Sequence, residues 1–312
     1  PYTTLFRSHD DTYFGMLYTL DEGDDWRDEN NWIKANPNLG VGKKIEPMRA
    51  LANEAEYKPE TKVHFLTKDL NIWTRALSAW IDGERWKKNN SGTIDEADLK
   101  GRRCWMALDY SHTEDTTVVT LVFPPEESGE RWKYLHRIWV PGTSLLDKEK
   151  SDRVPYSEYL KGEIIRWPGE TIDQSEVEAQ IREDLATFTV HELAYDEWGE
   201  SKLIAQNLEQ DGFPTVAFPQ GIKHISPAAK EFKRMVLAEE MEHGSNPMMD
   251  YFVLCTHVYV DANENIKPMK EKKGDPTRHI DGTITSIMGT WRAKIAVDGG
   301  PSIYESEEVL VL

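Results

Sequence analysis

Cys104-Trp105-Met106-Ala107-Leu108-Asp109-Tyr110-Ser111 decides the fold class of this chain. Ahead of it, apolar residues recur at helical spacing. From Cys104 onward the pattern is mixed α/β. Cys104–Asp109 reads as a strand that closes on a carboxylate. Thr116–Phe123 is a β-branched strand, followed by Pro124-Pro125 and an acidic turn, with Trp132–Val140 as its hairpin partner. Helical signals follow near 155–162 and 175–187. Val190–Asp196 is a second buried strand ending on an aspartate, within Leu193-Ala194-Tyr195-Asp196-Glu197-Trp198-Gly199. A helix over 200–211 stops at Gly212, and Thr215–Pro219 is a strand. Ser226-Pro227 predicts a helix start, a cap followed by a first-turn proline, with the helix running to Glu242. Two strands flank the turn Asp261–Asn265, and a last helix runs from Asp281 to Ala296. This order predicts an α/β domain over 103–298, with a mixed central sheet flanked by helices, and a tail over 299–312.

Residues 26–102 are helical in pattern and read as a linker. Pro37 breaks the first segment. Pro47 suits the first turn of a helix to Tyr57 that puts Met48, Leu51, Ala52 and Ala55 on one face. Pro59 opens another helix, and Trp80–Trp86 reads as a short third. Residues 12–20 read as a lone strand before an acidic turn, which implies a sheet missing from the chain. Residues 1–8 fit poorly with the rest of the chain. They resemble the translated tail of a sequencing adapter and are set aside.

The chain has 312 residues, 39% of them hydrophobic, with 11 Trp, enough for about two domains with sizeable cores. It has no apolar run of membrane-spanning length, so no membrane association is expected. The start shows no basic region before an apolar stretch, so no signal peptide is expected. Cys104 and Cys255 lie in apolar segments, which suits reduced core thiols in a cytosolic protein. The net charge of −18 on its face argues against nucleic acid, because duplex binding is dominated by Lys and Arg on phosphates. It leaves room for a local basic face, and bases cluster in Lys223–Arg234 and Lys267–Arg278.

Asp109 and Asp196 end strands, and Asp281, in His279-Ile280-Asp281-Gly282, starts a helix. Each alone also fits a turn residue or a helix cap. Together they fit a site beyond the carboxyl ends of an open α/β sheet, with the third carboxylate arriving from the flank. Ionised carboxylates at close range repel one another unless a cation neutralises them. Hard oxygen ligands favour Mg²⁺ or Mn²⁺ over zinc. Two such ions about 3.5–4 Å apart can activate water and stabilise the leaving oxygen in phosphodiester hydrolysis. Asp115 fits an auxiliary ligand or a strand cap. Gly40-Val41-Gly42-Lys43-Lys44 lacks the spacing of a phosphate loop and reads as a turn. His112, His243, His257 and His279 show no metal-type spacing, and His243-Gly244 reads as a helix C-cap.

The chain resembles the large terminase subunit of tailed bacteriophages, in the branch similar to the HK97-type enzymes. The likeness runs from Tyr13 to Lys294. It is carried by Asp24-Asp25-Trp26, Asn36-Pro37-Asn38-Leu39-Gly40, Leu70-Asn71-Ile72-Trp73, Ala107-Leu108-Asp109-Tyr110-Ser111 with Asp115, Tyr195-Asp196-Glu197-Trp198-Gly199, Gln220-Gly221, His243-Gly244-Ser245-Asn246-Pro247 and Ile280-Asp281-Gly282. His257 departs from it, standing where an asparagine is expected. The resemblance implies an RNase H-like nuclease domain over 103–298, a helical linker over 26–102, and, within 1–25, the last strand of a truncated ATPase domain. It implies that Asp109, Asp196 and Asp281 form a catalytic, metal-binding triad for two Mg²⁺ or Mn²⁺ ions, cutting concatemeric DNA during genome packaging. Lys230, Lys233 and Arg234, or Lys270, Lys272 and Lys273, would steer the DNA backbone. Implied partners are double-stranded DNA, the small terminase subunit and the portal protein, in the cytoplasm of an infected bacterium. The phosphate loop of the ATPase would lie upstream, so no ATP hydrolysis is expected from these residues. The alternatives are an RNase H-like recombinase or resolvase, and a non-catalytic docking module of the packaging motor.

Overall fold

The computed structural model describes residues 4–7, 14–21, 23–57, 59–72, 79–90, 92–113, 115–197, 200–261, 263–271 and 275–299. The chain divides into two compact units, residues 1–79 and 80–312.

In the first unit, β1 (Thr4–Arg7) pairs antiparallel with β2 (Phe14–Leu17), Thr4 opposite Leu17. The strand expected to stand alone thus finds its partner in a segment that looks foreign in the sequence. Helices α1 (Trp32–Ala35), α2 (Ile45–Tyr57) and α3 (Pro59–His64) follow. Their core gathers Trp32, Met48, Ala52, Ala55, Phe65, Leu66 and Leu70. Three of the four residues expected on the inner face of α2 are buried, and Leu51 sits at the edge. In the 40–44 turn, the backbone N–H groups of Val41, Gly42 and Lys43 all donate to the Asn38 carbonyl.

The second unit opens with α4 (Gly83–Lys87), whose N-terminus is capped by the Asp82 side chain. Residues 80–102 belong to this unit: Trp86 donates its ring N–H to Asp250, 2.8 Å away. The next elements are β3 (Arg103–Asp109), β4 (Thr117–Phe123), β5 (Trp132–Trp139), α5 (Leu145–Asp152), α6 (Tyr156–Lys161), α7 (Gln174–Thr187), β6 (Thr189–Asp196), α8 (Lys202–Gln210) and β7 (Thr215–Phe218). Then come α9 (Ile222–Leu237), β8 (Met241–Glu242), α10 (Pro247–Cys255), β9 (Thr256–Val260), β10 (Ile266–Lys270) and α11 (Asp281–Asp298). The six-stranded sheet has the order β7-β6-β3-β4-β5-β8. It is antiparallel across β3-β4-β5 and parallel at β3-β6, β6-β7 and β5-β8. β9 and β10 form a separate antiparallel ribbon.

Alternation along the strands sorts their side chains into two cores. Trp105, Ala107, Val118 and Val122 face α9, α10 and α11, joining Phe232, Met249, Phe252 and Ile287. Cys104, Met106, Leu108, Val119 and Leu121 face α7 and α8, joining Val177, Ile181, Ile204 and Leu208. Helices on both faces explain why β4 is buried at every position. Cys104 and Cys255 are buried free thiols.

Two helix boundaries differ from expectation. α9 starts at Ile222 after Gly221, so Pro227 lies inside it, and Ser226 accepts the Ile266 N–H instead of capping. An interior proline costs about 3 kcal/mol. Burying Ile225, Phe232 and Met235 on one face returns roughly 1.5–3 kcal/mol each, which outweighs it. α9 also ends at Leu237, because Met241 and Glu242 leave to pair with β5. Gly244 (φ +68°) therefore turns the chain after a strand rather than capping a helix.

Candidate metal centre

β3 and β6 run side by side and parallel, with Leu108 opposite Tyr195. One residue further on, Asp109 and Asp196 leave the same end of neighbouring strands. Both share the face of Ala107 and Ala194, which is the face covered by α11. α11 lies close to the sheet at Gly289, where a Cβ would come within 2.8 Å of Val122 Cγ2. The Thr120 and Thr285 hydroxyls, 2.7 Å apart, tie the helix to β4. That register sets the first residue of α11, Asp281, beside the strand ends. Thr116 donates its hydroxyl to Asp281 Oδ2, and Asp281 is 7% exposed. Gly282 permits this approach, since a Cβ there would meet Phe252 Cδ2 at 2.3 Å.

Burial pushes the Asp109 carboxyl well above the ordinary aspartate range, and the charges of Asp281, Asp196 and Asp115 push it further. Asp281 is raised in the same way, first by burial and then by Asp115, against the pull of His279, Thr116 and Lys270. Asp109 thus lies within the electrostatic reach of Asp281, Asp196 and Asp115, while the donor atoms that meet closely belong to Asp115, His279 and Asp281.

Asp115 sits in the β3–β4 turn. Lys270, the last residue of β10, holds both its oxygens, at 2.6 and 2.8 Å. His279 Nδ1 lies 2.7 Å from Asp115 Oδ1, and Nε2 lies 3.2 Å from Asp152 Oδ2 at the end of α5. Burial works against ionising Asp115, but the His279 and Lys270 hydrogen bonds prevail and hold it at about 2. Asp115, His279 and Asp281 each offer a donor atom, all within 4.8 Å of one another. His279 Nδ1 faces Asp115, and its Nε2 lies 3.2 Å from both Asp152 Oδ2 and Lys148 Nζ, so the carboxylate oxygens dominate the donor set. An oxygen-rich set with excess negative charge fits a hard divalent cation.

The basic residues are less concentrated. Lys230 is exposed on α9, Lys233 lies over the Trp80 ring, 5.9 Å from its centroid, and Arg234 is engaged by Glu231 and Glu240. Lys270 reaches the acidic cluster through Asp115, and Lys272 and Lys273 lie outside the described residues. His279, Asp152 and Lys148 (its Nζ 3.4 Å from Asp152 Oδ2) do not stand out as site residues in the sequence. His279 stands only two residues from Asp281, which is the sole local signal. His243 stacks on Trp86, ring centroids 4.2 Å apart, with Nε2 3.2 Å from the Trp86 carbonyl, and serves packing. Among the described residues, no helix is long and apolar enough to cross a membrane.

Comparison with known proteins agrees with this architecture. The chain is 28% identical over 290 residues to the large terminase subunit of Enterobacteria phage HK97, covering 91% of this chain and 55% of that protein. It is 26% identical over 309 residues to the protein YmfN of Escherichia coli strain K12, covering 96% of this chain and 65% of that protein. The chain therefore spans between about half and two thirds of these relatives. The crystal structure of the HK97 bacteriophage large terminase matches with a TM-score of 0.59 at 25% identity, over 87% of this chain and 55% of that one. The mixed sheet with helices on both faces is thereby RNase H-like. The model of the terminase large subunit, endonuclease domain, matches residues 7–296, and the chain belongs to that family.

Proposed function

We propose that this chain is the endonuclease part of a phage DNA-packaging terminase and hydrolyses phosphodiester bonds in concatemeric double-stranded DNA with two divalent cations, Mg²⁺ or Mn²⁺. The observation that supports the reading is that Asp109 and Asp196 leave the same end of two neighbouring parallel strands, on the face covered by the helix that begins at Asp281. Asp109, flanked by the other two triad members, would be shared between the ions, with Asp196 and Asp281 each completing one site and Asp115 auxiliary. Ions bound there supply charge neutralisation and activation of water for in-line hydrolysis. Thr116 orients the Asp281 carboxylate through its hydroxyl, and Lys270 and His279 orient Asp115. Lys230, Lys233 and the basic end of the β9–β10 ribbon would meet the DNA backbone, positioning without reading sequence.

A linker over 26–79, with residues 80–102 packed into the second unit, the small terminase subunit and portal protein as partners, and action in the cytoplasm of the infected host belong to the same proposal. ATP hydrolysis is not expected from these residues. The test is nicking of supercoiled plasmid in Mn²⁺: the wild-type chain cuts and Asp109→Ala does not. Cutting by Asp109→Ala at the wild-type rate overturns the assignment. A docking module without catalysis would neither cut nor take up the metal.

A further inference from the structure

We propose that a cavity beside β5, sharing no residue with the acidic cluster, is a second ligand site that takes a small planar cation of the guanidinium or amidinium class between His136 and His243. The inference is independent of the metal-centre reading.

The cavity, about 280 Å³, lies between β5, the turn after α6 and the turn after β8. Both imidazoles line it. His243 is 1% exposed, and its Nδ1 is buried without a hydrogen-bond partner among the described residues, as is His136 Nε2. The bonds on the other nitrogens fix what these two offer. His243 Nε2 lies 3.2 Å from the Trp86 carbonyl, which only accepts, so Nε2 carries the hydrogen. For His136 the reasoning runs through two threonines. Thr285 donates to the Asp281 carbonyl at 3.0 Å, so its oxygen accepts from Thr120, 2.7 Å away. Thr120 spends its one hydrogen there, which leaves His136 Nδ1, 3.0 Å off, as the donor. Burial favours the neutral ring in both cases, holding His136 at about 3 and lowering His243. Each ring therefore keeps a lone pair on its unpartnered nitrogen. Buried acceptors are costly to leave unpaired, so the cavity calls for a ligand with several N–H groups. Charge selects a cation. The Arg137 guanidinium is already answered by Glu96 (2.5 and 2.8 Å) and Asp184 (2.8 Å), and Glu163 adds a carboxylate at the exposed rim. Ile94, Leu135 and Ile164 give the cavity apolar walls. Such walls suit the flat faces of a guanidinium, which is more weakly hydrated than an ammonium and presents its N–H groups in a fixed fork.

Nitrogen-15 NMR of the histidine rings tests it, with the 312-residue chain titrated with methylguanidinium. Tetramethylammonium is the control, carrying the same charge and no N–H. His243 Nδ1 and His136 Nε2 are expected to resonate as unprotonated nitrogens and to shift together, saturably, with methylguanidinium alone. His243→Phe keeps a ring on Trp86 but removes one acceptor, and the affinity read at His136 should fall about tenfold or more. Glu163→Gln, at the exposed rim, should lower it roughly two- to fivefold. Asp109→Asn should leave the response of both rings unchanged, which separates this site from cation binding at the acidic cluster. A protonated shift at either nitrogen, no saturable response at millimolar methylguanidinium, or an equal response to tetramethylammonium overturns the proposal. If His243→Phe does not fold, the wild-type shifts and Glu163→Gln decide.

Discussion

Replacing Asp281 by Asn removes one charge from the acidic cluster and leaves its shape. Asp115 and Asp281 have donor atoms within 4.8 Å. Two unit charges at that separation repel by about 3.5 kcal/mol at an effective dielectric of about 20. Lys270 and His279 offset part of this, so a net relief of about 1–2 kcal/mol is expected for the metal-free protein. The Thr116 hydroxyl still finds an oxygen on Asn, so the hydrogen bond survives. At about 2–4 °C per kcal/mol for a domain of this size, Tm of the metal-free variant rises by roughly 2–8 °C. Mn²⁺ acts in the opposite sense. At one hundred times Kd a ligand stabilises the wild type by about 2.7 kcal/mol, and the variant forfeits most of that gain. Differential scanning calorimetry with EDTA and with Mn²⁺ reads both effects. A metal-free Asp281→Asn chain less stable than wild type, or one that gains the full wild-type increment from Mn²⁺, refutes the view that the cluster is a frustrated cation site.

Gly282→Ala forces a Cβ to 2.3 Å from Phe252 and 2.7 Å from Met249 Sδ, so α11 must shift at its first turn. The overpacking cost is about 1–3 kcal/mol by urea denaturation, and Mn²⁺ affinity should fall with it because Asp281 moves; an unchanged affinity contradicts the role given to this glycine. Away from the site, burial alone would raise the Glu130 carboxyl, but its bonds to Arg102 and Lys133 hold it at about 2 against an ordinary 4.5. A depressed carboxyl gives stability that is complete above pH 4.5 and is lost as pH falls toward 2. The Tm difference between wild type and Glu130→Gln should therefore shrink across that interval, and a constant difference counts against the ion pair.

The sequence showed what depends on local chemistry. β3, β4 and β5 were readable because β-branched and aromatic runs between turn residues have few other uses. Asp109 and Asp196 stood out because each closes an apolar run, and parallel pairing of β3 with β6 then sets them side by side. Non-local facts were hidden. Ser226-Pro227 has the grammar of a helix start, but burial of Ile225 and Phe232 carries α9 back to Ile222. A two-residue strand such as Met241–Glu242 has no pattern of its own and exists because β5 offers an edge. The links from His279 to Asp152 and from Lys270 to Asp115 join residues 127 and 155 positions apart, and no spacing rule connects them.

Crystals soaked in Mn²⁺ and measured at a wavelength where manganese scatters anomalously would locate the cations themselves. Two peaks are expected flanking the Asp109 carboxylate, one also touching Asp196 and the other Asp281. Peaks elsewhere, or none at Asp109 in a soak that saturates the titration, would contradict a shared cation pair at this site.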